Sequence, residues 1–357
     1  MSEDLIFSVN NQIGLITLNR PKALHALTHE MILLLSQQLN IWNEDPKIHA
    51  IVIQSTASRA FCAGGDVRKL YELGLENPDL PLVFFRDEYR LNQQIHQLKK
   101  PYIAFMDGLT FGGGVGISLH GSYPIASERF VFAMPETSIG FFPDIGASYL
   151  LSKYSALGLY LGLTGAHVDH VLAKKIGLVH AVLPSTQFAA CLQDLIELDL
   201  SENAPIIIDD CIKRYQYPTE NHYKINDLEE ISILFDQNNT MLAIINALES
   251  SMNSHHRKIA AGLRQKSPIS LEVTLELFRR AQNKNLAVCL EMDYTLAYHF
   301  MHHPDFYEGV RALLIDKDKS PQWHPKTIEE VCQEQVYSYF LPSLKGLIDV
   351  PSRKEPI

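Results

Sequence analysis

The sequence predicts an α/β protein in which a strand, a glycine loop and a helix recur as one unit, with a helical C-terminal region after them. Three observations carry this prediction. The apolar runs Ala50-Ile51-Val52-Ile53 and Pro101-Tyr102-Ile103-Ala104-Phe105-Met106 read as buried strands. Small residues follow each run and open a helix: Ala63-Gly64-Gly65-Asp66 in the first case, Gly112-Gly113-Gly114-Val115-Gly116 in the second. Ile51 and Ile103 hold equivalent places 52 residues apart, as expected when one structural unit is used twice. Beyond Leu150 the apolar spacing turns helical.

The elements follow in order. Leu5 to Val9 and Ile13 to Leu18 flank the turn residues Asn10-Asn11, the pattern of a hairpin. Thr28 is an N-cap for a helix from His29 to about Trp42, with Ile32, Leu35, Leu39 and Trp42 on one face and Asp45-Pro46 as its stop. The Ala60 to Asp66 loop leads to a helix at Val67. Helices are expected over Gly158 to Leu163, Val168 to Ile176 and Gln187 to Leu195, and Gly177 to Val182 reads as a short closing strand in which His180 is structural. From Leu228 to about Met301 the chain is a series of amphipathic helices, one of them started by Ser267-Pro268. His302-His303 reads as a solvated helix end, since no other residues have metal-site spacing, and Pro351 to Ile357 as a frayed terminus.

The 357 residues suffice for one large domain or a core with a sizeable appendage. With 46% apolar and 20% charged residues a core can be buried and wholesale disorder is excluded. A formal net charge of −10 with no basic patch argues against nucleic acid and against anionic membrane surfaces as partners. Cys62, Cys191, Cys211, Cys289 and Cys332 are odd in number and scattered, which fits a reducing compartment. The start Met-Ser-Glu-Asp lacks the features of a secretory or transit segment, so the expected location is the cytoplasm, or the mitochondrial matrix for a processed chain.

Glycines without Cβ let a ligand lie against bare backbone, and the first N–H groups of a helix lack an internal partner. A lone glycine run is more often a packing device. Two such loops side by side would present two amide donors to one point, the arrangement that stabilises charge developing on a carbonyl oxygen.

Taken together and in order, Asn19-Arg20-Pro21-Lys22-Ala23-Leu24, Phe61-Cys62-Ala63-Gly64-Gly65-Asp66, Gly112 to Gly116, Met134-Pro135-Glu136 and Gly140-Phe141-Phe142-Pro143-Asp144 resemble the crotonase (enoyl-CoA hydratase/isomerase) superfamily. The resemblance implies a spiral of ββα units over residues 1–200 that carries the CoA and active site, with a helical region over 201–357 packing on it. It implies an acyl-CoA thioester substrate, with CoA part of the substrate and no separate cofactor or metal. It further implies an oxyanion hole from the N–H groups of Gly65 and Gly113, and a CoA-binding segment at Lys22, Ala23, Leu24 and Ala63. At His25 the superfamily usually has asparagine. Its members form trimers and hexamers, which leaves a homo-oligomer open.

The carboxylates narrow the reaction. Hydratases of the superfamily use two glutamates, and the first falls at Gly116 here, where no proton can be carried. Glu136 matches the second, and Asp144 supplies a carboxylate where hydratases have glycine. That combination, with the stretch from Asp305 to Trp323, resembles the superfamily's thioester hydrolases. Glu88 matches a substrate-contacting glutamate of those hydrolases. Each acid has a plainer reading: Asp144 as a helix N-cap, Glu136 as a carboxylate at a helix start, and Glu88 as a surface partner of Arg86 or Arg90. Apolar neighbours Phe132, Met134, Ile139, Phe141 and Phe142 favour a greasy cleft in which a carboxyl acts as acid or base. The expected reaction is hydrolysis of a short β-hydroxyacyl-CoA, 3-hydroxyisobutyryl-CoA in particular. The rivals are hydratase or dienoyl-CoA isomerase chemistry and a non-enzymatic binding protein on the same fold.

Overall fold

The computed structural model describes residues 3–56, 59–216, 225–236 and 240–342, with side chains omitted for 225–229. The terminal stretch Pro351 to Ile357 lies outside them. Among the described residues ten short strands form two sheets. Leu5–Asn10 (β1) and Ile13–Leu18 (β2) pair antiparallel as the predicted hairpin, Leu5 opposite Leu18. Then follow Ala50–Ser55 (β3), Ala60–Cys62 (β4), Tyr102–Met106 (β5), Leu109–Phe111 (β6), Tyr123–Ala126 (β7), Val131–Ala133 (β8), Val168–Asp169 (β9) and Ala181–Val182 (β10). One sheet runs β1-β2-β3-β5-β7-β10, the other β4-β6-β8-β9.

This order is a spiral. Three times in succession the chain places one strand in the six-stranded sheet and the next in the four-stranded one: β3 and β4, β5 and β6, β7 and β8. Within each sheet these strands pair parallel. Buried on both faces, Ala50 to Ile53 of β3 and the whole of β5 read as continuous apolar runs rather than alternating ones. The register sets Val52 opposite Ile103 and Ile51 opposite Tyr102, so the repeated unit is present with its register moved by one. The third repeat is hard to see in the sequence because β7 contains Pro124. Proline donates nothing to a ladder, but its carbonyl still accepts from the His180 N–H at 2.8 Å.

By contacts the described residues fall into two units that interleave along the chain. The first comprises Met1–Asp66, Leu91–Ala133 and His167–Tyr223 and holds both sheets. Its core joins Ile13, Val52, Ile103, Phe105 and Ile125 of the large sheet to Cys191, Leu195, Ile208 and Ile212, on the helices Phe188–Glu197 and Ala204–Lys213. The helix His29–Glu44 starts at Thr28, whose side chain accepts from the Met31 N–H, and buries Met31, Ile32, Leu35, Leu39 and Trp42. Val168 departs from the expected helix: it pairs antiparallel with Phe132, and the helix begins at His170 because Asp169 caps it by accepting from Leu172 N–H.

The second unit comprises Val67–Arg90, Met134–Ala166 and Lys224–Ile357, and the elements of its described residues are helices. The helix Pro268–Ala281 starts as predicted, with the Ser267 hydroxyl accepting from Ser270 N–H. An aromatic cluster sits within this unit: Phe141 stacks on Phe85 with centroids 5.3 Å apart, Phe142 stacks on Phe300 at 5.3 Å, and Phe306 meets Phe141 edge-on at 5.7 Å. Stacked and edge-on pairs of buried rings stabilise beyond their area alone.

Candidate active site

The first unit brings the two glycine loops together. A Cβ at Gly64, whose φ of 110° already favours glycine, would lie 3.4 Å from the Phe111 carbonyl oxygen and 3.7 Å from the Gly113 nitrogen. Leu27 clamps the first loop, donating to the Gly64 carbonyl at 2.8 Å and accepting from Asp66 N–H at 2.9 Å. Gly113 begins a four-residue helix, Gly113–Gly116. Among the described residues neither the Gly65 nor the Gly113 N–H donates to a protein group. Two neighbouring loops therefore keep free amide donors, which is the raw material of an oxyanion hole.

The segment expected to meet CoA lies in the same unit. Pro21–Ala23 forms a single 3-10 turn with Lys22 exposed, and Ala63 N–H donates to the Leu24 carbonyl at 3.0 Å. The unusual His25 closes this turn: its Nδ1 accepts from Arg20 N–H at 3.0 Å and its own N–H donates to the Arg20 carbonyl at 2.9 Å. Burial lowers the His25 pKa, favouring the neutral ring such an acceptor needs. Arg20 also donates to Asp66 at 2.8 Å, tying the turn to the first glycine loop. Gly116, the position where the resemblance leads one to expect a hydratase's first glutamate, has no room for a side chain, because a Cβ would stand 2.6 Å from the Asn92 amide nitrogen.

The second unit collects the acids. Glu136 opens the 3-10 turn Glu136–Ile139, which Gly140 ends with a φ of 69°. That turn rests on the helix Pro304–Val310: a Cβ on Gly140 would collide with the Asp305 carbonyl oxygen at 2.1 Å, and one on Gly309 with the Ile139 carbonyl carbon at 2.4 Å. Asp305 is fully buried and holds the support in place, accepting from the Ser267 hydroxyl and, at 2.8 Å, from His324 N–H. The stretch from Asp305 onward thus supports the turn that carries Glu136.

Glu136, Glu88 and Asp144 are all buried, and each has a pKa above the ordinary carboxyl range. For Glu136 the causes are burial and then the charge of Asp144, opposed by Lys266. For Glu88 they are burial and then the charges of Asp144 and Glu136. Asp144 is pushed by burial up to about 7, opposed by the Tyr89 hydroxyl, which donates to its Oδ2 at 2.7 Å. Glu88 is not a surface partner of the arginines: Arg86 and Arg90 pair with Asp87, at 2.9 and 3.8 Å. Asp144 is not a helix cap, because the next helix, Ala147–Leu151, starts from Gly146. Glu88 Oε1 and Glu136 Oε2 are buried without a hydrogen-bond partner among the described residues. Such atoms carry a desolvation cost unless a ligand or water meets them.

Sequence reasoning missed three members of this group. Tyr89 was visible only as an aromatic beside Glu88. Lys266 immediately precedes the helix start at Ser267; it is largely buried, its ammonium donates to the Ser138 hydroxyl, and burial pushes it down to about 8. Asp293 lies fully buried in the helix Leu286–Met301 and accepts from Gly146 N–H at 2.7 Å. A signal for it existed. Cys289, Leu290, Asp293, Leu296, Ala297 and Phe300 follow one helical stripe, and an acid on an apolar stripe is there for a partner.

The remaining residues behave structurally. His180 pairs with Asp209 at 2.8 Å, and His302 closes its helix while His303 caps the next. Among the described residues no cluster of His, Cys, Asp and Glu has the form of a metal site, and no helix is long and apolar enough to cross a membrane. All five cysteines are free.

A spiral of paired strands, two glycine loops with free N–H groups and a set of buried acids are features of one class of CoA-ester protein. The chain belongs to the enoyl-CoA hydratase/isomerase family, whose pattern it matches over residues 13–340. Among curated relatives it is 40% identical to the mitochondrial 3-hydroxyisobutyryl-CoA hydrolase of Xenopus laevis over 92% of this chain and 86% of that one. It is 36% identical to the human protein of the same name over 95% and 89%. Among solved structures it resembles a carnitinyl-CoA dehydratase from Mycobacterium thermoresistibile, with a TM-score of 0.89 and 33% identity over 98% of this chain and 99% of that one. An enoyl-CoA hydratase from Rhodobacter sphaeroides matches with a TM-score of 0.87 and 32% identity over 95% and 97%.

Proposed function

We propose that the protein hydrolyses a short β-hydroxyacyl-CoA thioester, 3-hydroxyisobutyryl-CoA, to the free hydroxy acid and CoA, as in valine breakdown. The observation that carries the reading is the set of acids. Gly116 leaves the first hydratase carboxylate absent, while Glu136 and Asp144 are both buried with raised pKa values. The names and coverage of the hydrolase relatives support it.

The Gly65 and Gly113 N–H groups take the thioester carbonyl oxygen and stabilise the negative charge that develops there when the carbon is attacked. Glu136 acts in one of two ways. Its carboxylate attacks the carbonyl carbon and expels the CoA thiolate, giving an anhydride that water then opens, or it takes a proton from a water that attacks directly. Both routes end in one carboxylic acid and one thiol. Lys266 offsets the cost of an ionised Glu136, and Asp144, oriented by the Tyr89 hydroxyl, holds the substrate hydroxyl or the water. Glu88 faces the acyl group, and Lys22, Ala23, Leu24 and Ala63 contact the CoA moiety. A thioester is already reactive, so orientation and charge stabilisation supply what the reaction needs, without a metal or redox group. Five free cysteines fit a reducing compartment, cytoplasm or matrix.

A panel of acyl-CoA esters scored for thiol release tests the reading. Rapid release from 3-hydroxyisobutyryl-CoA is expected, and Glu136→Gln should abolish it while acyl-CoA binding stays within a few fold. Conversion of the acyl group with no thiol produced would point to hydratase or isomerase chemistry instead.

A further inference from the structure

Asn92 is an unused polar group at the glycine loop. It lies in the helix Leu80–His96, is fully buried, and neither its Nδ2 nor its Oδ1 has a hydrogen-bond partner among the described residues. Leaving both ends of a buried amide unpaired costs free energy, so the arrangement fits a ligand that supplies a donor and an acceptor together. Its position is well defined. The amide nitrogen lies 2.6 Å from where a Cβ of Gly116 would stand, and the amide oxygen 3.2 Å from it. Gly116 is glycine because the amide occupies that space. Three residues earlier on the same short helix is Gly113, whose N–H is free. Three helical residues rise about 4.5 Å, comparable to the reach of a three-carbon hydroxyacyl group.

Resting on the hydrolase reading, we propose that the Asn92 amide is the specificity determinant for the β-hydroxyl of the acyl group, its Nδ2 donating to the hydroxyl oxygen and its Oδ1 accepting the hydroxyl proton. The chemistry matches on both sides. A hydroxyl is at once donor and acceptor, and the amide offers one free atom of each kind. A carboxylate here could only accept, and an apolar residue would do neither. With the carbonyl oxygen taken by the glycine N–H groups, the hydroxyl is the acyl group's only remaining polar function. Asp144 is then left to hold the water. A substrate lacking the hydroxyl leaves the amide unpaired, and a buried polar site of that kind rejects such an analogue strongly.

The test compares two non-hydrolysable CoA analogues in which a methylene replaces the thioester sulfur, one carrying the 3-hydroxyisobutyryl group and one the isobutyryl group. The full-length protein should bind the hydroxylated analogue about tenfold to a hundredfold more tightly, one or two net hydrogen bonds. Asn92→Leu, close in size and without polar atoms, should bring that ratio near one, and Asn92→Asp should recover only part of it. A ratio unchanged in Asn92→Leu, or a wild-type protein indifferent to the hydroxyl, overturns the proposal. A merely structural Asn92 would weaken both analogues alike and leave the ratio intact. Because no turnover is needed, failure of thiol release would refute the hydrolase reading without touching this comparison.

Discussion

Replacing Tyr89 by phenylalanine removes one oxygen from a fully buried ring and nothing else, which makes it a direct probe of Asp144. In the native protein the Tyr89 hydroxyl donates to Asp144 Oδ2 at 2.7 Å and opposes the burial that pushes this carboxyl up to about 7. A hydrogen bond to a charged group contributes about 1.5–3 kcal/mol, and each pKa unit corresponds to about 1.4 kcal/mol. Loss of the bond should therefore raise the Asp144 pKa by about 1–2 units, to between about 8 and 9. If catalysis uses ionised Asp144, the ionised fraction at pH 7 falls from about one half to between a tenth and a hundredth, so kcat/KM drops about fivefold to fiftyfold. The assay is thiol release from 3-hydroxyisobutyryl-CoA across pH 5.5 to 10. The rising limb should move alkaline by about 1–2 units and the rate should recover at high pH. A pH-independent loss, or an unmoved limb, would refute the assignment of Asp144 as an ionised participant held by Tyr89.

Two further outcomes concern stability. Glu88, Glu136, Asp144 and Asp293 all have folded-state pKa values above their ordinary ones, so the native state holds protons that the unfolded chain releases. The stabilisation this provides is complete below about pH 4 and is lost as pH rises, for Asp144 through about 7. Scanning calorimetry or dye melting should therefore give a higher apparent Tm near pH 6 than near pH 8, and a Tm that climbs over that interval would contradict the buried cluster. Gly140→Ala forces a left-handed residue to carry a Cβ 2.1 Å from the Asp305 carbonyl oxygen, a backbone atom. It should cost about 2–5 kcal/mol in urea unfolding and lower thiol release by displacing Glu136, and a variant as stable as the parent would mean that the turn does not rest on this contact.

Local rules account for what could be read without a structure. The hairpin at Leu5 to Leu18, the Thr28 and Ser267 caps and the two β-strands with their glycine loops depend on neighbours within a few residues, and the structure has them where expected. The third strand pair escaped because Pro124 sits in β7, and Val168 escaped because its antiparallel partner, Phe132, lies far away in sequence. Among the acids, Glu136 and Asp144 are marked by their segment, but the direction in which Glu88 faces is decided by helix phase: Asp87 takes the arginines and Glu88 turns inward. Lys266 and Asp293 meet Ser138 and Gly146 from more than a hundred residues away, and no local pattern names such partners.

The sequence by itself determined the order of the elements, the repeated unit, the two glycine loops and the presence of glycine, glutamate and aspartate at 116, 136 and 144. Only the tertiary structure decided what those residues can do. Whether a carboxyl is charged near neutral pH depends on how much water the fold removes and which charges it brings close, and whether a glycine is a gap or a made space depends on what fills it. At 116 the Asn92 amide fills it.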